Sequence, residues 1–530
     1  MKALRRLASG NWELAVLIAL AALIYRPWSA RALPILDFSE FLPQLRAHDT
    51  IVDQFGAIAR YMRTQGRFCP LLYAYIVSAW NAFGMWAPGW HWSYFLLNSA
   101  VIVTGRRLFL RIGAGRAAAI AALAVWAVMP PVAAAWLRPT GEPIGLLLII
   151  AALMVAHNYC DADDWKSRAL TIAALCIGII AAKEMLVIVL PVIWLMTRLR
   201  HDDKGWSWAR WSRRDAVAAA EAAVASILAL APVALVAMSA SPDSYARRYG
   251  SVKFTVDNLI SRAKTVVLPS GAGLPKISAW MNDPGWQSWL AFPNIVWIAL
   301  LVGSVLVLTA RRRRGAAGGM RWPMLVAFTW AAAGAIAYVP WPSQATFYML
   351  PFAFGVAFGA ALLLTSMSAA KVTSFAASIA VLLVLTISSV EARDLVRQHE
   401  LRVKTDQEII ASIARTGKDL PIYAAVPQPA PDTKFGWGRE LAEYGRAAGL
   451  IDPETAGDIS CNEARIRAAL HSPVVIVSAV QGCGAIRGGS LVVQEAVPLR
   501  RWPWLLAPRR IVRTAFVVRS GEELVSTSEK

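Results

Sequence analysis

Residues 290–314 read LAFPNIVWIALLVGSVLVLTARRRR, twenty-one uncharged residues closed by four arginines. A helix of about 20 apolar residues spans the hydrocarbon core of a bilayer. Within that core a segment must satisfy its backbone hydrogen bonds internally, so the run is helical. Lys and Arg are retained on the cytoplasmic side, so Arg311–Arg314 give the direction of the crossing. The same alternation recurs along the chain. Basic clusters at Lys2–Arg6, Arg106–Arg116 and Arg198–Arg214 separate long stretches of Ala, Leu, Ile and Val, and acidic or mixed segments fall in the remaining gaps. This pattern predicts a polytopic inner-membrane protein whose chemistry lies in the polar segments of the outer face.

Composition agrees. The 530 residues are 57% hydrophobic and 17% charged, with a mean hydropathy of +0.47, against roughly 25% charged for globular domains. The net charge of +20 sits largely in short loops between apolar runs. Membrane orientation and anionic lipid headgroups account for it, and nucleic-acid binding, which needs a basic face on a soluble fold, is set aside. Met1–Arg6 followed by the apolar run Leu14–Tyr25 mimics a signal peptide but lacks a small-residue cleavage site, so an uncleaved first helix is expected. Of the five cysteines, Cys461 and Cys483 lie in the hydrophilic tail. An oxidising outer compartment would let them pair, and two free thiols are the alternative. No cysteine–histidine spacing suits zinc.

Threading the clusters through one bilayer gives eleven crossings: Trp12–Tyr25, Ser93–Leu110, Ala117–Trp136, Ile144–Asn158, two short arms of a hairpin across Ala169–Met196, Ala216–Met238, Leu290–Ala310, Pro323–Val339, Tyr348–Ser366 and Val372–Val390. The N-terminus is then cytoplasmic and the tail extracytoplasmic. The apolar stretch 69–90 is not given a crossing, because one there would invert every later basic cluster; its tryptophans suit the interface. The fold class is mainly α, a transmembrane helix bundle with interfacial helices in the first outer loop and a small C-terminal α/β domain. The expected domains are 1–390, with outer loops at 26–92 and 239–289, and 391–530. In the tail, strand-like runs at Ile422–Val426, Val474–Val480, Leu491–Glu495 and Arg513–Val518 alternate with helical ones at Gln407–Thr416, Arg439–Ala448 and Cys461–His471.

Several polar groups call for an explanation. Asp37 and Glu40 follow the first helix, and carboxylates beside an apolar surface serve as bases or ligands as well as helix caps. Ile51, Phe55, Ile58 and Met62 repeat at helical spacing, with Asp53, Gln54, Arg60 and Arg63 elsewhere around the helix. Thr50 and Asp53 start it and Gly66 stops it. Arg138 and Glu142 share one tight turn, as a self-contained salt bridge or as part of a site. Lys183–Glu184 interrupts an apolar hairpin, and ionisable groups at membrane depth are costly unless they face a partner or a cavity. Tyr245, Arg247 and Arg248 lie in the second large outer loop; arginine forks suit phosphate oxygens, and a solvated loop is the alternative.

This layout resembles the membrane-embedded GT-C glycosyltransferases, which use polyprenyl-phosphate-linked sugars as donors. The similarity rests on the helix order, on an acidic residue opening the first outer loop (Asp37), on the run Gly66-Arg67-Phe68-Cys69-Pro70-Leu71-Leu72-Tyr73 closing at Phe83-Gly84, and on Ala182-Lys183-Glu184-Met185 opening an apolar helix. It implies inverting sugar transfer from a polyprenyl-phosphate donor at the outer face. Asp37, with Glu40 beside it, would deprotonate the acceptor hydroxyl. Lys183, Arg138, Arg247 and Arg248 would answer the phosphate charge. Glu184, Glu142 and Glu40 would hold those cations or the sugar hydroxyls, with Tyr245 against the substrate. Many members carry adjacent acids where this chain separates Asp37 from Glu40, which leaves divalent-metal dependence open; no cofactor is assigned. Membrane lipids are the other expected partner. The competing classes are a transporter or flippase of lipid-linked glycans, which needs charges lining a path through the bilayer, and a non-catalytic assembly factor. Charges gathered on one side disfavour the first.

Overall fold

The computed structural model describes residues 2–30, 41–137, 140–157, 159, 162–202, 205–209, 213–240, 255–269, 286–313, 321–337, 346–367, 371–416, 419–426, 437–453, 455–469, 474–479, 490–498 and 510–518. The chain folds as two compact units. The first comprises Met1–Trp28, Ala59–Ile76 and His91–Val396; the second comprises Ser29–Ile58, Val77–Trp90 and Arg397–Lys530.

The first unit is a helix bundle. Among the described residues, six helices are long and apolar enough to cross a membrane: Trp12–Ser29, Trp165–Ala182, Ala219–Met238, Phe292–Thr309, Leu350–Met367 and Ser374–Arg397. Arg116–Val128, Glu142–Ala156 and Glu184–Thr197 are apolar but shorter. Leu350–Met367 is the central helix. It is apolar all round and almost wholly buried, as a helix without a solvent or lipid face must be. Its Phe354 ring meets Phe109, Trp126 and Trp330 at centroid distances of 5.2, 5.5 and 5.3 Å. By contrast, Ile227, Leu228, Leu235 and Met238 of the Arg213–Met238 helix are exposed, the arrangement expected of a helix facing lipid.

Three local features differ from the sequence reading. The segment expected as one helix over Ala117–Trp136 is two, Arg116–Val128 and Pro130–Ala135. Proline at 130 removes a backbone donor and forces Met129 out of the helical region, and Met129 has ψ 147°. The helix expected to begin at Ser93 begins at Ala87. The segment 198–215, expected as a cytoplasmic loop, contains an antiparallel hairpin, β1 (Leu199–Asp202) with β2 (Gly205–Trp208).

In the second unit, Thr50 Oγ1 bonds Asp53 Oδ2 at 2.6 Å and accepts from the Asp53 amide at 3.1 Å, starting the helix Ile51–Thr64. Gly66 ends that helix with φ +72°, the left-handed stop that glycine permits. Gln54 is buried: its amide donates to the Leu45 and His48 carbonyls at 3.0 and 2.9 Å and accepts from Asn81 at 2.6 Å. The short helix Leu42–Arg46 packs against Trp437–Ala447. The tail carries a five-stranded sheet in the order β4 (Ala456–Ser460), β3 (Ile422–Val426), β5 (Val474–Ala479), β7 (Arg510–Val518), β6 (Ser490–Pro498). β3 is parallel to β4 and β5, and β7 is antiparallel to β5 and β6. The helices expected at Gln407–Thr416 and over Val372–Val390 are one continuous helix, Lys371–Thr416, with its apolar half first and its polar half second. Cys461 is disulfide-bonded; Cys483 lies outside the described residues.

Candidate active site

The Glu142–Ala156 and Trp165–Ala182 helices pack as antiparallel neighbours, so the start of one meets the end of the other. Glu142 opens the first helix and Lys183 caps the second. Each charge therefore sits at the helix end whose dipole favours it. Lys183 Nζ lies 3.3 Å from Glu142 Oε1, with Glu142 fully buried and Lys183 nearly so. The Lys183 ammonium also stands over the Tyr348 ring, 4.6 Å from its centroid, a cation–π contact that helps offset desolvation.

The approach of these helix ends depends on Gly141. A Cβ there would overlap the Ala182 carbonyl oxygen, which is backbone and cannot swing aside. Gly141→Ala is expected to push the Glu142 end away from Lys183 and to cost about 1–3 kcal/mol, the range for overpacking a filled site. Thermal unfolding of the purified variant checks this, and an unchanged midpoint would show that the helix ends have room.

Glu184 faces different partners. Its Oε1 accepts from Arg67 Nε at 2.7 Å and its Oε2 from the Cys69 thiol at 2.5 Å. Tyr73 braces the same turn: its hydroxyl accepts from the Cys69 amide at 2.8 Å and donates to the Arg67 carbonyl at 3.1 Å. Burial, and then the Glu184 charge, pushes the Cys69 thiol up to about 12. It stays protonated and serves as a donor to the carboxylate rather than as a nucleophile.

The two carboxylates thus differ in what they have left to offer. Both Glu184 oxygens are occupied, whereas neither Glu142 oxygen has a hydrogen-bond partner among the described residues, and the Thr140 hydroxyl is likewise buried without one. A buried acceptor left open costs free energy that a ligand donor can recover. Glu142 keeps acceptor capacity beside the Lys183 ammonium, while Arg67 and Cys69 hold Glu184 in the turn that carries Lys183. The sequence places Glu142 in one turn with Arg138, as a salt bridge or as part of a site; among the described residues its ion-pair partner is Lys183. Asp37, Glu40, Arg138, Tyr245, Arg247 and Arg248 lie outside the described residues. Arg67, Cys69, Tyr73 and Tyr348 were not singled out as site residues. The first three fall within the Gly66–Tyr73 run that carried the family resemblance, which was the signal available. Among the described residues no cluster of three or more His, Cys, Asp or Glu side chains is placed to hold a metal.

The fold is shared with solved structures of ArnT. The chain is similar over 97% of its length to the whole chain of ArnT from Cupriavidus metallidurans bound to undecaprenyl phosphate, with a TM-score of 0.51 and 12% sequence identity. The apo state of the same ArnT aligns over the same shares of both chains, with a TM-score of 0.50 and 13% identity. Neither a protein-family model nor a curated protein sequence matches the chain.

Proposed function

We propose that this protein is a membrane glycosyltransferase that moves a sugar from a polyprenyl-phosphate donor to an acceptor at the outer face of the inner membrane. The observation that carries the reading is the buried Lys183–Glu142 pair with open carboxylate oxygens, in a bundle whose fold is shared with ArnT bound to undecaprenyl phosphate. In this reading the Lys183 ammonium answers charge developing on the departing lipid phosphate. Glu142 holds Lys183 in place and accepts from a sugar hydroxyl. Asp37 deprotonates the attacking acceptor hydroxyl, with Glu40 beside it, and Arg138, Arg247 and Arg248 add positive charge around the phosphate, with Tyr245 against the substrate. Transfer inverts the anomeric centre because one displacement is made.

The donor class is tested by binding. Undecaprenyl phosphate is expected to raise the unfolding temperature of the purified protein, because a ligand that binds only the folded state stabilises it. The charge-balanced double variant Lys183→Met/Glu142→Gln should lose most of that rise. No rise in the wild type would remove the polyprenyl phosphate from the account.

Residues 1–390 would form the membrane domain and 391–530 the extracytoplasmic one, with eleven crossings and residues 69–90 lying along the outer interface. The motive is the position of every basic cluster. Compartment reporters fused after Arg116 and after Glu400 are expected to read cytoplasmic and extracytoplasmic respectively. The opposite result at either point would overturn this orientation.

A further inference from the structure

The same helix pair has a second polar end. The Glu142–Ala156 helix is 15 residues long, so its C-terminus lies about 22 Å from Glu142 at 1.5 Å per residue. His157 caps it, followed in the chain by the start of the Trp165–Ala182 helix. Arg111 Nη1 donates to the Met154 carbonyl at 3.3 Å and Arg168 Nη1 to the His157 carbonyl at 3.2 Å. Two guanidinium groups thus converge on one helix end. From the β1–β2 hairpin, Trp206 inserts between two imidazoles, with edge-on ring contacts at 5.7 Å to His157 and 4.8 Å to His201.

The two arginines differ in their partners. Asp164 takes Arg168 Nε at 2.8 Å, and Arg111 has no carboxylate partner among the described residues. Arg111 and His201 are exposed at the rim, while Trp206 is buried. His157 Nε2 is buried and has no hydrogen-bond partner among the described residues. Capping a helix C-terminus explains one hydrogen bond from each arginine. It does not explain the remaining donors, the two imidazoles or the indole held between them. Guanidinium forks match the oxygens of a phosphate, and tryptophan suits headgroup depth.

We propose that Arg111, Arg168 and His201, gathered around Trp206, form a binding site for a phosphate oxyanion at the helix-pair end remote from Glu142 and Lys183. The oxyanion is the headgroup of an anionic phospholipid or a free phosphate. This site is independent of the glycosyl-transfer reading and stands whether or not that reading does.

The test is native mass spectrometry of the purified full-length chain, delipidated and re-exposed to phosphatidylglycerol or phosphatidylcholine, with and without millimolar inorganic phosphate. Selective retention of phosphatidylglycerol is expected. Arg111→Gln and His201→Gln should each weaken it by about tenfold, the worth of one charge-assisted hydrogen bond, while Arg111→Lys keeps part of it. The Lys183→Met/Glu142→Gln variant should retain the lipid as the wild type does. Retention that inorganic phosphate does not displace identifies a headgroup, and displacement identifies a free phosphate. Equal retention of the two lipids without phosphate binding, or retention unchanged in both glutamine variants, overturns the proposal. Should Arg111→Gln fail to fold, the exposed His201 carries the decision.

Discussion

Lys183→Met alone is expected to destabilise the protein by about 3–5 kcal/mol, the range for stripping one partner from a buried ion pair. The cause is the carboxylate left behind. Glu142 is fully buried, Lys183 is its only ion-pair partner among the described residues, and neither carboxylate oxygen has a hydrogen bond there. Glu142→Gln in the Lys183→Met background removes the orphaned charge and should recover most of the loss without restoring activity. Unfolding of the two single variants and the double variant in detergent closes the cycle. A single variant as stable as the wild type would mean that water or another group solvates Glu142. Arg67 offers a contrast, because its partner Glu184 keeps the Cys69 thiol when Arg67 is lost, so Arg67→Met should cost less than Lys183→Met.

Asp37→Asn is expected to lower the rate of sugar transfer by roughly 100- to 10,000-fold, the contribution of a positioned acid–base group, with an unfolding midpoint close to wild type. The substitution keeps the size and much of the hydrogen-bonding shape of the side chain and removes only its basicity. Steady-state transfer at saturating donor reads the effect as a fall in kcat. A folded variant with near-normal kcat would assign Asp37 to helix capping and move the search for the base to Glu40, Asp49 or Asp53.

What the sequence made legible was periodic or chemically forced. The Ile51–Thr64 helix announced both ends, through Thr50 with Asp53 and through Gly66. β3 could be read from Ile422–Val426 because an apolar β-rich run stands between polar neighbours. β4 was missed: Ala-Gly-Asp-Ile-Ser has little strand propensity and is ordered by pairing on one side with β3. The β1–β2 hairpin was missed because its arginine, histidine and tryptophan content reads as a basic loop. The site was legible by half. Lys183–Glu184 stood out as charge inside an apolar hairpin, yet the pair points to two different partners. Arg67 and Glu184 are 117 residues apart, and no local pattern encodes such a contact. For Glu142 the sequence left open a salt bridge with Arg138 or a part in a site, and no local pattern disclosed the helix packing that brings Ala182 against Gly141 and gives Glu142 Lys183 as a partner.

The most direct measurement of the central claim is donor turnover by the purified protein. Wild-type protein, incubated with a polyprenyl-phosphate sugar and a membrane or cell-envelope extract as acceptor source, is predicted to release free polyprenyl phosphate in amounts matching the sugar transferred. The charge-balanced Lys183→Met/Glu142→Gln variant, folded by the same criteria, should release none above background. If the wild type releases no polyprenyl phosphate from any such donor, while loss of the protein still traps a lipid-linked glycan on the inner face of the membrane, the account is contradicted and the protein moves lipid-linked glycans instead.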